Sequence, residues 1–187
     1  MKKIPAEYDL AAHKSERILV LVNQPGWLRA GSNLRYHLAE KLSEGLTRKV
    51  RVSRDRLVTY DALWKFRSEH PDFSELSPVE VGAAVGADLV LFVAIEGYEL
   101  EKEPDTNYYS GSLAFRSALY NTATKETLWP KSDGGRRLVV GFEVESRGRE
   151  AAVQRLVSAA AHCTTRYLYG CPLDEFAISE DQSNIQW

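Results

Sequence analysis

The sequence predicts an α/β (α+β) fold. It would have a mixed sheet with a βαβ-type first half, an antiparallel meander as its second half, helices packed on the sheet and a C-terminal amphipathic helix. Residues 18–22 and 89–95 are continuous apolar runs of strand length, separated by segments of helical periodicity, as in buried strands joined by crossovers. From about residue 108 onward, apolar and polar residues alternate between turn sequences, which is typical of antiparallel strands with one buried face.

The first half begins with the strand at residues 18–22, followed by a helix for which Ser32 is the predicted N-cap. The segment KVRVS, residues 49–53, alternates and predicts a short second strand. The apolar positions of the intervening helix recur every fourth residue, as one buried face requires: Leu34, Leu38, Leu42 and Leu46.

Two further helices are predicted before the strand at residues 89–95. In the first of them, Tyr60, Leu63 and Trp64 are expected to point inward. The second has the clearest start and stop signals of the chain, namely an N-cap, a first-turn proline, a capping-box glutamate and a C-terminal glycine: Ser77, Pro78, Glu80 and Gly86.

The meander is predicted to bury one face of the strand YYSGSLAFRSALY. That face carries Tyr109, Gly111, Leu113, Phe115 and Leu119, and the opposite face carries serines and an arginine. A helix over about residues 147–168 ends the regular structure. Its expected apolar stripe consists of Val153, Leu156, Val157, Ala160, Cys163, Tyr167 and Leu168.

The domain boundaries follow from this order of elements. We expect a flexible lead-in over residues 1–15, one α/β domain over residues 16–170 and a C-terminal tail over residues 171–187. A chain of 187 residues suits one well-buried domain that needs neither a metal nor a disulfide to fold.

Composition excludes several classes of protein. The formal net charge of −2 lacks the basic bias of a nucleic-acid-binding protein, so no nucleic-acid partner is expected. The longest apolar run, ADLVLFVAI, has the length of a strand and not of a membrane span. The basic N-terminus lacks the apolar region of a signal peptide, so we expect either a cytosolic protein or a chain whose leader has been removed.

The loop VNQPGWLRAGSN places Gly26, Gly31 and Ser32 at nearly the spacing of a phosphate-binding P-loop. The lysine of that motif is absent, and Trp27 is bulky where the backbone would have to approach a phosphate. We therefore predict no nucleotide-hydrolysing loop. A weak anion site at Gly26, Gly31 and Ser32, using the amides of the helix N-terminus, stays open as an alternative.

No arrangement of residues predicts catalysis, a metal or a cofactor. Glu96, Glu99, Glu101 and Glu103 form an acidic run after a strand, which is typical of a solvated face. The histidines are scattered and no CxxC motif is present. We therefore expect a protein that is not an enzyme.

The two cysteines leave two alternatives open. Cys163 lies on the apolar stripe of the last helix, which favours a buried thiol. A disulfide between Cys163 and Cys171 is the alternative, and it would require an oxidising compartment.

Aromatic and basic residues in loops and at strand ends are the candidate contacts with a partner. Trp27 and Arg29 lie in the first loop, and Tyr108 and Tyr109 lie where the meander begins. Aromatic residues and arginine are enriched in protein interfaces, so we predict these four as partner-binding residues.

Two segments carry a family resemblance. VGAAVGADLVLFVAIEGYEL and GSLAFRSALYNTATKETLWP resemble the helix-to-strand and meander segments of bacterial envelope lipoproteins. The families are the penicillin-binding-protein activator lipoproteins, the curli-secretion lipoprotein and the N-terminal domain of the Tol-system propeller protein. The resemblance covers about residues 17–168 and concerns mainly residues that encode the fold.

The resemblance implies a non-enzymatic adaptor or assembly domain of the cell envelope, in the periplasm or at the outer membrane. It implies an envelope protein as partner, membrane attachment through a removed N-terminal lipid anchor, and association into homo-oligomers as an option. Two alternatives stay open: a binder of a small anionic ligand or nucleotide at the Gly26–Ser32 loop, and a cytosolic oligomeric scaffold.

Overall fold

The computed structural model describes residues 2–13, 15–28, 33–132, 134–145 and 147–176, with the side chains of residues 144 and 145 excepted. Its helices and strands follow in chain order: β1 (Lys3–Ile4), β2 (Ile18–Asn23), α1 (Leu34–Arg48), α2 (Tyr60–Glu69), α3 (Pro78–Ala84), β3 (Leu89–Lys102), β4 (Tyr108–Asn121), β5 (Thr127–Trp129), β6 (Arg136–Glu145), α4 (Arg149–Thr165) and β7 (Cys171–Pro172).

The main sheet is mixed, as predicted. Strand β2 runs parallel to β3, and β3 pairs with β4 in antiparallel register. The other edge of β4 is shared by two antiparallel strands, since β5 pairs near its end and β6 along most of its length. The parallel first half and the antiparallel second half confirm the predicted fold class.

The helices divide the core between the two faces of the sheet. Helices α1 and α4 pack on one face, where the leucines of α1 and the apolar stripe predicted for the last helix are buried. Helices α2 and α3 cover the opposite face only beside β2 and the start of β3, with Leu63 and Val81 against Leu19, Leu21 and Val90. The rest of that second face carries no helix among the described residues.

The signals around α3 are confirmed in detail. The Ser77 hydroxyl oxygen accepts a hydrogen bond from the Glu80 backbone amide, and a carboxylate oxygen of Glu80 accepts one from the Ser77 amide. Pro78 occupies the first turn, and Gly86 has a φ of 72°, the left-handed conformation that glycine adopts at a helix end.

Three predicted features differ in the structure. Residues 49–53 form no strand: Val50 and Val52 are buried against the end of α1, while Arg51 has a φ of 68°, which breaks a ladder. Trp64 points outward, because Leu63 takes the buried position on α2. Helix α4 ends at Thr165, although Tyr167 and Leu168 are buried beyond it as predicted.

The N-terminal segment packs on the domain and does not merely lead into it. Strand β1 pairs with β7, so the predicted boundary at residue 171 falls inside a small two-stranded sheet. Leu10 is fully buried in the main core, and the Glu7 amide donates a hydrogen bond to the Tyr167 carbonyl at 2.9 Å. Burial of Leu10 and pairing of the strand edges bring residues 3–12 and 171–172 into contact with the domain.

Candidate functional site

The half of the sheet that no described helix covers is the first candidate surface. We call it the open sheet face. Because side chains alternate along each strand, its members follow from the register of β3, β4 and β6. They are Gly97, Glu99, Glu101, Tyr108, Ser110, Ser112, Ala114, Arg116, Arg137, Val139, Gly141 and Glu143.

One end of the open sheet face is basic. The Nε atom of Arg116 donates to Glu96 at 2.9 Å, and the Nε atom of Arg137 donates to the other oxygen of the same carboxylate at 3.0 Å. The hydrogen bond from Arg116 is the main cause that holds the pKa of Glu96 below its ordinary value. Two guanidinium groups thus share one carboxylate at this end.

The other end of the open sheet face carries acidic residues, and its middle carries mainly small ones. Glu99, Glu101 and Glu143 are exposed and form no ion pair within the described part of the chain. Between the two ends lie Gly97, Ser112, Ala114, Val139 and Gly141, of which only Val139, 36% exposed, has a sizeable apolar side chain. Glu99 pairs with Ser112, so its carboxylate lies on the acidic side of this middle part. The face therefore combines mainly small residues at its centre with opposite charges on its two sides.

The second candidate surface lies where β2 ends and α1 begins. Trp27, in the connecting loop, is 70% exposed, and Trp64 of α2 is 53% exposed. The guanidinium carbon of Arg35, in the first turn of α1, lies 6.0 Å from the centre of the Trp64 ring. We call the surface formed by Trp27, Trp64, Arg35 and Arg67 the tryptophan end.

The two arginines of the tryptophan end have no carboxylate partner among the described residues. Arg67 stacks over the ring of Phe73 at 5.0 Å and is half-buried. Burial lowers the pKa of Arg67, and the nearby charge of Arg35 lowers it further. This surface therefore has exposed aromatic area beside two cations that would gain from an added negative charge.

The structure separates the four predicted partner-binding residues. Trp27 is exposed at the tryptophan end, whereas Tyr108, 41% exposed, lies on the open sheet face. Ala94 pairs with the last residue of β2 and Lys102 pairs with Tyr109, so the start of β4, where Tyr108 lies, is about 26 Å along β3 from the end of β2. Arg29 lies outside the described residues.

Tyr109 is the clear correction among these residues. It is 6% exposed and belongs to the main core, so it is no exposed partner contact. The physical reason is the alternation of a strand, which sends the side chains of Tyr108 and Tyr109 to opposite faces. The sequence analysis itself placed Tyr109 on the apolar face of the meander, and that assignment is confirmed.

The predicted anion loop is only partly described. An ideal Cβ placed on Gly26 would meet no heavy atom within 4 Å, so the backbone there is open. Gly31 and Ser32 lie outside the described residues, and helix α1 begins after Asn33, whose side chain makes no capping hydrogen bond. The anion site stays a prediction.

The cysteines form no disulfide in the structure. Cys163 faces the core from α4, and Cys171 lies in β7; both are buried thiols. Burial is the main cause that raises the pKa of the Cys171 thiol. The structure thus has the buried-thiol alternative at both positions, and the disulfide is not formed in it.

A groove of about 560 Å³ lies between α1, β2 and residues 54–63. Its apolar part includes Leu19, Val20 and Leu63, and its rim carries charges of both signs, among them Glu40 and Arg54. No group of three or more histidine, cysteine, aspartate or glutamate side chains within the described ranges is placed to hold a metal ion. None of the described helices is both long and apolar enough to span a membrane.

Sequence reasoning missed Trp64 and the outward residues of β6. The signal for the latter was present, because the predicted inward residues Leu138, Val140 and Phe142 imply outward positions at 137, 139, 141 and 143. What the pattern could not show is that none of the helices in the described ranges covers those positions, since covering depends on where distant elements pack.

Comparison with known proteins gives no family model and no curated relative that matches the chain. Solved structures with a similar fold include protein XCC0632 from Xanthomonas campestris, with 9% identity and a TM-score of 0.50, covering 97% of this chain and 96% of that one. Lipoprotein GNA1162 from Neisseria meningitidis has 14% identity and a TM-score of 0.49, with 80% and 98% covered. The C-terminal domain of LpoB from Salmonella enterica has 18% identity and a TM-score of 0.37, with 71% and 84% covered.

At these identities the likeness concerns the fold, and the chain shares that fold with XCC0632. Bacterial lipoproteins are among the solved structures to which the chain is similar.

Proposed function

We propose that the chain is a non-enzymatic adaptor or assembly domain of the bacterial cell envelope that binds a protein partner at the tryptophan end. The observation that carries this proposal is the exposure of Trp27, in the loop between β2 and α1, and of Trp64, which lies beside Arg35 in the first turn of α1. The partner contributes an acidic segment with apolar neighbours, because that chemistry complements both parts of the surface.

Residue type and exposure support this assignment. Tryptophan and arginine are the residues most enriched among the few that dominate binding energy in protein interfaces. A carboxylate of the partner placed between Arg35 and Arg67 would offset their mutual repulsion, which lowers the pKa of Arg67. Trp27 and Trp64 would supply the apolar area that leaves water on binding.

The envelope location is tested separately from the binding surface. We propose that the native precursor is lipid-anchored through a removed N-terminal segment and resides in the periplasm or at the outer membrane. The complete native gene is expressed with a radiolabelled fatty acid, and the cells are fractionated. A labelled product in the membrane fraction is expected, whereas an unlabelled product in the cytosol would contradict the location and favour the scaffold alternative.

The binding surface is tested by site-specific photo-crosslinking in cells. A photoreactive phenylalanine derivative replaces Trp27 in one strain and Lys125, on the exposed turn after β4, in a control strain. We expect an adduct with one envelope protein from position 27 and none from position 125. The captured protein is then purified and titrated with the purified domain by calorimetry.

Three variants decide whether the tryptophan end carries the affinity. W27A and W64A are each expected to weaken binding at least tenfold, since hot-spot truncations typically cost about 2 kcal/mol or more. R35A is expected to weaken binding and to reduce its salt dependence, because it removes one cation. K2E, at an exposed position of the N-terminal segment, makes the same change of charge outside the tryptophan end and is the surface control. Unchanged affinity in W27A and W64A, or binding to anionic vesicles without a protein, would overturn the assignment.

A further inference from the structure

The open sheet face is self-complementary, and we propose that it joins two copies of this chain in a two-fold dimer. The symmetry axis lies between the two facing sheets, parallel to their planes, runs across the strands and passes at the level between Ser112 and Ala114. The proposal does not depend on the partner at the tryptophan end, because none of the residues that define the tryptophan end belongs to the open sheet face.

The register of β4 and β6 sets the positions of the charges. Arg116 pairs with Arg137 at the basic end, and Ser110 pairs with Glu143 at the acidic end. Positions 110 and 116 are separated by about 20 Å along β4. The midpoint falls between Ser112, which pairs with Gly141, and Ala114, which pairs with Val139.

Rotation about an axis across the strands exchanges the two ends while it places each strand over its own copy. Arg137 of one copy then faces Glu143 of the other, and the reverse contact follows from the symmetry. A two-fold axis along β4 would instead bring the two basic ends together, with Arg116 over Arg116, which like-charge repulsion disfavours. Charge complementarity therefore selects one of the two face-to-face arrangements.

The centre of the face fits the same arrangement. Val139 and Gly141 lie at equal distances on either side of the axis, so Val139 of each copy lies over Gly141 of the other. An ideal Cβ on Gly141 would meet only the Gly111 carbonyl oxygen, at 3.4 Å, so the outer side of Gly141 is open to receive a side chain. Ala114 of each copy lies over Ser112 of the other, and these small residues allow the two sheets to approach closely. Glu99 of each copy lies over Gly97 of the other, on the side of the axis that carries Arg116.

The size of the face sets the expected strength of association. Three strands over positions 110–116 give a footprint of roughly 15 by 20 Å per copy. Two such footprints bury less than the roughly 1,200 Å² of a standard stable interface, so the dimer should be weak and concentration-dependent. We expect dissociation constants in the range of about 10 to 100 μM, as for transient complexes.

Sedimentation velocity of the purified domain from 5 to 500 μM tests the proposal. The wild-type sedimentation coefficient should rise with concentration towards that of a dimer. R137E and E143R should each weaken association at least tenfold, because each brings like charges together. The double variant R137E/E143R should restore it, because the exchanged charges again face each other across the axis.

Two further variants separate the interface from effects on folding. G141L has room on the outer side of the isolated domain but occupies the position of Val139 from the second copy, so it should abolish association without loss of the folded circular dichroism spectrum. K65E lies outside the face and should associate as the wild type does. A wild-type protein that stays monomeric at 500 μM, or a dimer that R137E and G141L leave unchanged, would overturn the proposal.

Discussion

The carboxylate of Glu7 connects the N-terminal segment to two strands of the main sheet. It accepts a hydrogen bond from the indole Nε1 of Trp129 at 2.8 Å and two from the Nη2 of Arg136 at 2.7 and 2.6 Å. Trp129 is buried, so its indole N–H depends on this acceptor. At the scale of single residues, Glu7 is therefore the polar contact that most directly ties the N-terminus to the domain.

Replacing Glu7 tests that contact. We expect E7A to lower the free energy of unfolding by about 1–3 kcal/mol, because it leaves a buried donor without an acceptor. E7Q should cost less, since its amide oxygen can still accept from Trp129. Urea denaturation followed by tryptophan fluorescence measures both variants. Equal stability of E7A and the wild type would show that Glu7 makes no such contribution.

His162 makes the free energy of unfolding of the domain depend on pH near neutrality. Burial is the main cause that lowers the pKa of its imidazole, and the charges of Arg166 and Lys49 act in the same direction. Its Nε2 lies 3.2 Å from the Glu175 carbonyl oxygen, which opposes the shift only in part. The folded state therefore binds a proton at His162 less readily than the unfolded chain does.

The sign of the pH effect follows from this difference. As pH falls through the unfolded value of 6.5, the unfolded chain takes up the proton first, and the free energy of unfolding decreases until the folded pKa is passed. We expect the wild type to lose stability between pH 7.5 and pH 5 and H162Q to lose less over the same interval. Urea denaturation at several pH values measures it; identical slopes for the two proteins would contradict the assignment.

At the scale of the elements, the contact of α3 with β3 and β4 depends on the absence of a side chain at Gly82. An ideal Cβ at this position would lie 2.3 Å from Cγ2 of Val90 and 2.7 Å from Cγ2 of Thr122. Real contacts are longer, so a larger residue must push the helix away from the sheet. Close approach, and not helix propensity, explains this glycine in the middle of a helix.

The substitution G82A separates those two effects. Helix propensity alone predicts a gain of about 1 kcal/mol, whereas overpacking typically costs about 1–3 kcal/mol. We expect a net loss of stability in urea denaturation, and a smaller loss when V90A is also present, because that change opens space at Val90. A83G, at an exposed position of α3, serves as control for propensity. A stabilised G82A protein would contradict the tight contact.

At the scale of the whole molecule, segments near the two ends of the described chain pair with each other and pack on the domain. Residues 3–4 pair with residues 171–172, and Leu10 is fully buried in the main core. The N-terminal segment thus contributes both backbone pairing and apolar burial. Any truncation into residues 3–12 would remove part of the core and not only a connecting segment.

Truncating the side chain of Leu10 measures that contribution. L10A should lower the free energy of unfolding by about 2–5 kcal/mol, the range for deletion of a buried leucine side chain. K2A, at an exposed position of the same segment, should change stability by less than about 0.5 kcal/mol. Chemical denaturation measures both variants. If L10A were as mild as K2A, residues 1–15 would act as the flexible lead-in that the sequence predicts.

Much of the fold could be predicted because its signals are local. The leucine repeat of α1, the capping box at Ser77 and the glycine at 86 act through neighbours a few positions away. The alternation of β4 likewise assigned Tyr109 and Phe115 to the buried face. The candidate surfaces were predicted only in part, since Trp27 and Tyr108 are exposed while Trp64 and the outward residues of β6 were missed.

By itself, then, the sequence determined the order and type of most elements and which face of each element is apolar, because periodicity encodes these properties within one segment. Tertiary structure alone decided which of the remaining faces are covered. It placed Trp64 outside, left Val139 and Gly141 without a covering helix from the described part of the chain, and brought Lys3–Ile4 beside Cys171–Pro172. These outcomes depend on contacts between residues far apart in the chain, and no local pattern carries that information.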